Sequence, residues 1–301
     1  MSDNQDVENV IERHQASGKF IQVNGVKTFV LDLGSGEPVF CIHGVPTSSF
    51  LYRKVLSALA NKGFRGVAID LPGLGLSGRP EDFDYSFPNF ARFCAKAAAV
   101  LGLDKYHLVV HDIGGPIGFA MAAENRDRIL SLTILNTWID GVNFKKPLPM
   151  RPFEKPILGE GQLALTNHTT WQLLFNTLGL ENNERIPKEV SNAYVDLLKR
   201  EDGGKAFLKI MRNFDNSEGF KTLCYKGVQN VPYPVQAVWG AKDPGLSLEE
   251  YGMEIKEVAG LKEIHTLPAR HFLQEEQWEE IAERVAVINR QSKKTRDTFL
   301  E

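Results

Sequence analysis

The chain has 301 residues, 43% hydrophobic, 24% charged and 10% aromatic, an ordinary globular composition that can bury a large core without disulfides or metals. Its 35 basic and 38 acidic residues leave a net charge of −3, without the basic excess that nucleic-acid or anionic-lipid binding needs. The three cysteines, Cys41, Cys94 and Cys224, are odd in number and far from metal-knuckle spacing, which argues against a disulfide framework and a structural zinc site and leaves each as a small buried residue.

Residues 1–18 are polar and carry no charged-then-apolar signal pattern, so the expectation is a helical or frayed lead-in and a cytoplasmic chain. No run reaches about 18 apolar residues, and no membrane span is expected. Phe20–Val23 and Lys27–Leu31 flank Asn24-Gly25, a hairpin signal. Val39–Ile42 is a short apolar run, as a buried strand would be. A helix over 49–62, a strand at Gly66–Ile69, a helix over 88–102, a strand at His107–Val110, a helix over 114–124 and a strand at Ile129–Leu135 follow. This alternation predicts a mostly parallel sheet covered by helices on both faces. The rhythm breaks over residues 140–230, which read as helices joined by Pro- and Gly-containing loops. It resumes with a strand at Val235–Trp239, a helix at Leu248–Val258, a strand at Glu263–Leu267 and a helix over 275–290.

The stretch Leu108-Val109-Val110-His111-Asp112-Ile113-Gly114-Gly115 runs from a strand through a Gly-rich turn into a helix. A residue at such a turn projects from the carboxyl edge of the sheet, and its neighbours must be small. Gly114 meets that need and Val110 does not. Asp112 therefore stands where a nucleophile would, although an aspartate there also suits a helix cap. No Gly-x-Ser-x-Gly competes for the role. Asp243 follows the strand ending at Trp239, and His271 follows the last strand. Exits of parallel strands share one edge, so nucleophile, acid and histidine can converge. The backbone N–H groups of Val45 and Ile113 are placed to form an oxyanion hole. His43 reads as a loop-shaping residue.

Four segments carry a resemblance: His43-Gly44-Val45-Pro46-Thr47-Ser48-Ser49-Phe50-Leu51-Tyr52-Arg53, Asp70-Leu71-Pro72-Gly73-Leu74-Gly75-Leu76-Ser77, His111-Asp112-Ile113-Gly114-Gly115 and His271-Phe272-Leu273-Gln274-Glu275-Glu276. With them the chain resembles the α/β-hydrolase superfamily, and within it the haloalkane dehalogenases and related epoxide hydrolases. The resemblance implies a mostly parallel eight-stranded sheet with flanking helices. It implies a core over 1–137 and 231–301, and a helical cap over 138–230. It implies a small-molecule substrate, no cofactor, no metal, and two steps. Asp112 displaces a leaving group from saturated carbon, and His271, oriented by Asp243, activates water against the resulting ester. Asp140, near the strand end at Asn136, is a rival for the acid.

The leaving group decides the substrate. Dehalogenases usually hold the halide with a Trp after the nucleophile and often an Asn between His-Gly and Pro; here those positions are Ile113 and Val45. A cap Trp serves one subgroup, which makes Trp171 and Trp138 candidates. Epoxide hydrolases use cap tyrosines, for which Tyr194, Tyr225 and Tyr233 are candidates. A cofactor-independent, luciferase-type oxygenase and a non-catalytic ligand-binding protein are the readings from other classes. Arg270 stands before His271, where relatives often have Gly. Gly73–Gly78 matches G-x-G-x-x-G, but Arg79–Pro88 intervenes before any helix, against a dinucleotide site. His107 and His111 are four apart on a strand, not on a helical face.

Overall fold

The computed structural model describes residues 2–182 and 186–298. Asn24 and Gly25 both take positive φ, 49° and 80°, as a two-residue hairpin turn requires. They join β1 (Lys19–Val23) to β2 (Val26–Gly34). The remaining strands are β3 (Glu37–Ile42), β4 (Phe64–Ile69), β5 (Tyr106–Val110), β6 (Ile129–Leu135), β7 (Val235–Gly240) and β8 (His265–Leu267). They form one eight-stranded sheet in the order β1-β2-β4-β3-β5-β6-β7-β8. The pairs β1–β2 and β2–β4 are antiparallel, and all pairs from β4 to β8 are parallel.

Every residue of β5 and β6 is buried, because helices cover both faces of the sheet. Alternation along the strands divides the core into two layers. Phe40, Ile42, Leu108 and Val110 face one layer with Ile117 and Phe119 of the helix Gly114–Glu124. Val39, Cys41 and Val109 face the other with Leu56, Leu59 and Val285. Those three belong to the helices Arg53–Asn61 and Trp278–Thr298. The three cysteines are buried and unpaired.

Several expected helices are divided. Residues 49–62 open with a 3-10 turn, Ser49–Tyr52, before the α-helix begins at Arg53. The helix expected at Leu248–Val258 starts as a π turn, Leu248–Gly252. The one expected over 275–290 is split into Leu273–Glu276 and Trp278–Thr298. The lead-in is the helix Ser2–Ala16, anchored by buried Val7 and Ile11 one turn apart.

Between β6 and β7 the chain forms the helices Leu158–Leu165, His168–Leu174, Lys188–Lys199, Lys205–Arg212 and Glu218–Lys226, with a π turn at Phe175–Gly179. Among the described residues no helix is long and apolar enough to cross a membrane.

The strand order reverses direction at β3, which has β4 on one side and β5 on the other. A crevice opens at the carboxyl ends of strands at such a point. His43-Gly44-Val45 leave β3 there, and His111-Asp112 leave β5.

Candidate active site

Asp112 has φ of 53°, a left-handed conformation that costs a non-glycine residue on the order of 1–3 kcal/mol. The turn is held by the Asp112 N–H to the Asn136 carbonyl at 2.9 Å and by the Thr137 hydroxyl to the Asp112 carbonyl at 2.6 Å. Its surroundings leave no room: a Cβ at Gly44 would stand 2.3 Å from the Asp112 carboxylate, and one at Gly115 would stand 1.9 Å from Thr137 Oγ1. The large Val110 is accommodated one helical turn further on, since a Cβ at Gly118 would lie 2.4 Å from Val110 Cγ1. The size exclusion at this turn is met by the pair Val110–Gly118.

Asp112 Oδ1 accepts the Val45 N–H at 2.8 Å. Its other oxygen, Oδ2, lies 3.8 Å from His271 Nε2. Burial raises the Asp112 pKa, opposed by the neighbouring His271 and by the Ile113 and Val45 N–H groups. His271 Nδ1–H donates to Asp243 Oδ2 at 2.8 Å, which leaves Nε2 as the free lone pair facing Asp112. Burial alone would lower the His271 pKa, but Asp243 and then Asp112 outweigh it, and the net shift is upward.

Asp243 is itself fixed on all sides. Its Oδ1 accepts the N–H groups of Gly245 and Leu246 at 2.8 and 3.0 Å, and its Oδ2 also accepts Asn136 Nδ2–H at 2.8 Å. Asn136 was legible only as the end of β6, yet it sits at the same sheet edge and holds the acid. Asp140 does not reach His271. It is bound by Lys221 at 2.6 Å and by the Val142 and Asn143 N–H groups, the geometry of a loop anchor.

His43 shapes the loop after β3. Its Nδ1–H donates to the Gly44 carbonyl and its Nε2 accepts the Leu71 N–H at 3.0 Å. Burial lowers its pKa to about 4, so it stays neutral. Gly73–Gly78 wraps the buried Asp70, whose carboxylate accepts the N–H groups of Ser49 and Leu76, and no helix begins inside it. His107 bonds Ser131 Oγ and Asn289, away from His111.

A cavity of about 430 Å³ stands over these groups, with Asp112, His271, Asp243, Val45 and Pro46 on its floor. Its remaining wall is mostly apolar. Trp138 lies on one side, stacked on Phe144 with ring centroids 3.8 Å apart. Trp171, Phe175 and Phe272 lie on the other, and Trp171 stands 5.5 Å from Phe175 and 6.3 Å from Phe272. Trp171 Nε1–H is buried and has no hydrogen-bond partner. Buried polar groups are nearly always paired, and this N–H is an exception on a residue that lines the cavity.

The tyrosine candidates are not brought to the cavity. The Tyr194 hydroxyl donates to Glu275 Oε1 at 2.5 Å, Tyr225 faces Glu254 at 3.4 Å, and Tyr233 donates to the Gly227 carbonyl at 2.7 Å. Tyr194 is spent on a network that sequence reasoning missed. Glu275, fully buried, accepts Arg53 through both oxygens at 2.5 and 3.0 Å and pairs with Lys54 at 3.1 Å. Arg270 has a partner as well: its guanidinium donates to the Thr177 carbonyl and stands 3.4 Å from Glu181. It thereby satisfies a carbonyl of the π turn, while the Phe272 N–H takes that of Gly179 at 2.9 Å.

Residues 37–277 match the family model described as alpha/beta hydrolase fold, and the chain belongs to that family. A segment of 108 residues is 44% identical to haloalkane dehalogenase 2 of Mycobacterium bovis, but this match spans only 36% of the chain and 37% of that relative. Haloalkane dehalogenase 1 of Mycobacterium tuberculosis is 29% identical over 261 residues, covering 82% of each chain. Among solved structures, the haloalkane dehalogenase DbeA from Bradyrhizobium elkani superimposes with a TM-score of 0.74 at 21% identity, over 90% of this chain and 98% of that one. That likeness is one of fold.

Proposed function

We propose that this protein is a haloalkane-dehalogenase-like hydrolase in which Asp112 is the nucleophile, His271 the base and Asp243 the acid that orients it. The observation that carries the reading is an aspartate in the strained turn position with one oxygen bonded by the Val45 N–H and the other facing a histidine lone pair. Asp112 Oδ2 attacks a saturated carbon, the carbon–halogen bond breaks, and the halide leaves with the bonding pair. A carboxylate needs no base for this, being ionised near neutral pH. His271 Nε2 then takes a proton from water, whose oxygen adds to Asp112 Cγ. Charge builds on Oδ1 between the Val45 and Ile113 N–H groups. The tetrahedral species expels the alkoxide, which takes the proton from His271; Asp112, left as the carboxylic acid, then loses its remaining proton through His271 to solvent and is restored as the carboxylate. Asp243 stabilises the imidazolium in between.

The unpaired Trp171 N–H supports halide as the leaving group despite Ile113. The mostly apolar cavity supports a primary haloalkane of moderate length. The engaged hydroxyls of Tyr194, Tyr225 and Tyr233 count against an epoxide oxygen. Residues 138–230 serve in this reading as a cap over a core formed by 1–137 and 231–301.

The test is His271→Gln exposed to bromohexane and, separately, to styrene oxide, followed by intact mass. A bromohexane adduct that disappears when Asp112→Ala is added supports the assignment. An adduct from styrene oxide alone moves the leaving group to an epoxide. No adduct from either removes the covalent mechanism.

A further inference from the structure

One hydrogen bond joins the residue before Asp112 directly to the residue proposed as base. His111 is fully buried, and its Nε2–H donates to the backbone carbonyl of His271 at 2.9 Å. The two imidazoles lie against each other with centroids 4.6 Å apart. The second ring nitrogen of His111, Nδ1, is buried with no partner. An unpaired buried acceptor is destabilising, a cost that an apolar side chain like that of the neighbouring Val110 would avoid. The orphaned nitrogen points to a demand on the other one. Burial, and next the His271 ring, hold the His111 pKa well below the ordinary histidine range. It therefore carries a single ring proton, committed to the His271 carbonyl.

The other bonds that hold the loop run elsewhere. The Phe272 N–H goes to Gly179 and the Arg270 guanidinium to Thr177, both in the helical insertion. The Ala269 carbonyl accepts the Lys242 N–H at 3.1 Å, next to Asp243. Asp243 fixes the His271 ring at Nδ1, but it does not fix the distance from Nε2 to the turn at Asp112. The His111 bond ties the His271 backbone to the residue next to Asp112.

We propose that His111 is a positioning residue for the second step: through the His271 carbonyl it sets the gap between His271 Nε2 and the Asp112 carboxyl in which the hydrolytic water stands. This rests on the reading of Asp112 as the ester-forming nucleophile. The first step needs nothing from His271, so loss of the His111 bond slows ester hydrolysis and spares alkylation. A general base must lie within hydrogen-bond reach of the water, and a misplacement of about 1 Å costs on the order of 100-fold.

The experiment mixes full-length variants with excess bromohexane or styrene oxide, quenches with acid, and follows the ester fraction by intact mass. After substrate removal it follows the ester's decay. In His111→Leu the ester decays on the order of 100-fold more slowly than in the unaltered protein and accumulates, while its formation changes by no more than about 3-fold. His111→Gln, whose amide N–H extends to the position of Nε2, restores fast decay. His111→Asn, which reaches only the position of Nδ1, behaves like His111→Leu. Decay at the unaltered rate in the Leu and Asn variants overturns the proposal. Equal losses in formation and decay, or a Gln variant as slow as Leu, overturn it too. If the Leu variant does not fold, the Asn and Gln pair decides. If His271→Gln itself forms no Asp112-dependent adduct, the nucleophile reading has failed and this proposal falls with it. A trapped adduct there, with none in His111→Leu or His111→Asn, overturns the positioning role alone.

Discussion

Trp171→Phe separates a leaving-group ligand from a core aromatic, because the two roles predict opposite signs for stability. The substitution keeps a six-membered ring against Phe175 and Phe272 and removes Nε1–H. In the unliganded protein that N–H is buried and unpaired. Its removal relieves a desolvation cost of about 1–3 kcal/mol and offsets the packing lost with the five-membered ring. The unfolding midpoint is therefore expected to stay level or rise slightly. Alkylation moves the other way. A hydrogen bond to a charged acceptor contributes about 1.5–3 kcal/mol, and the halide acquires its charge as the carbon–halogen bond breaks. A loss of about 2 kcal/mol corresponds to roughly 30-fold in the rate of bromide release. The assay is rapid-quench measurement of bromide from bromohexane, beside a thermal melt and a bromide titration of intrinsic fluorescence. A melting point lowered by several degrees with bromide release and affinity unchanged would refute the reasoning and make Trp171 plain packing.

Asp243→Asn presents an NH2 where His271 Nδ1–H and Asn136 Nδ2–H both donate, so the histidine is held in the wrong tautomer; turnover falls by about 10³–10⁴-fold, whereas Asp140→Asn, away from His271, leaves it within about 3-fold. Steady-state rates of the two variants make the comparison, and equal losses would sink the assignment of the acid. Ester decay requires neutral His271, so decay slows as pH falls through the His271 midpoint, which Asp243 pushes up against burial. Alkylation requires ionised Asp112, whose pKa burial raises, so the ester accumulates in the unaltered protein on the acid side of the decay midpoint as long as Asp112 keeps its charge, as quenched mass spectra over a pH series will record. Glu275→Gln leaves the half-buried Arg53 without its counter-charge and lowers stability by about 3 kcal/mol at neutral pH, read from denaturant unfolding. Burial would raise the Glu275 pKa, but Arg53 outweighs it, so the depressed carboxylate stabilises the fold above the ordinary carboxyl range. That stability is lost as pH falls through the folded value, and the variant's acid limb is correspondingly flatter.

What was legible in the sequence is what a few neighbouring residues decide. Asn24-Gly25 imposes its own turn, and the helix Gly114–Glu124 begins where the Gly pair allows. Asp112, Asp243 and His271 could be found because strand exits share an edge whatever covers the sheet. The helical insertion was less legible. Helical period says which face of Lys188–Lys199 is buried, but not against what. Tyr194 was recognisable as a large cap residue, while its hydroxyl partner is Glu275, 81 positions away. Separation in sequence likewise hid Asn136 from Asp243, 107 positions away, and Arg53 from Glu275, 222 positions away. The π turn at Phe175–Gly179 has no sequence signature of its own; it is held from outside by Arg270 and the Phe272 N–H.

The division of labour between the two Asp112 oxygens gives the covalent mechanism its most direct test. Oδ1 is occupied by the Val45 N–H at 2.8 Å, and Oδ2, on the His271 side, is the one free to attack. After alkylation Oδ2 is the ester oxygen and Oδ1 the carbonyl oxygen, already lying where an oxyanion would be stabilised. Water activated by His271 must then add to Asp112 Cγ, since Nε2 lies beside the carboxyl group. Expulsion of the alkoxide carries Oδ2 away and leaves the water oxygen in Asp112. A single turnover with enzyme in excess, run in water enriched in heavy oxygen, therefore yields alcohol with ordinary oxygen and enzyme heavier by one label, located by peptide mass to Asp112. Direct attack of water on the haloalkane places the label in the alcohol on the first turnover and leaves Asp112 unlabelled, and that result would remove the ester and assign Asp112 to base catalysis.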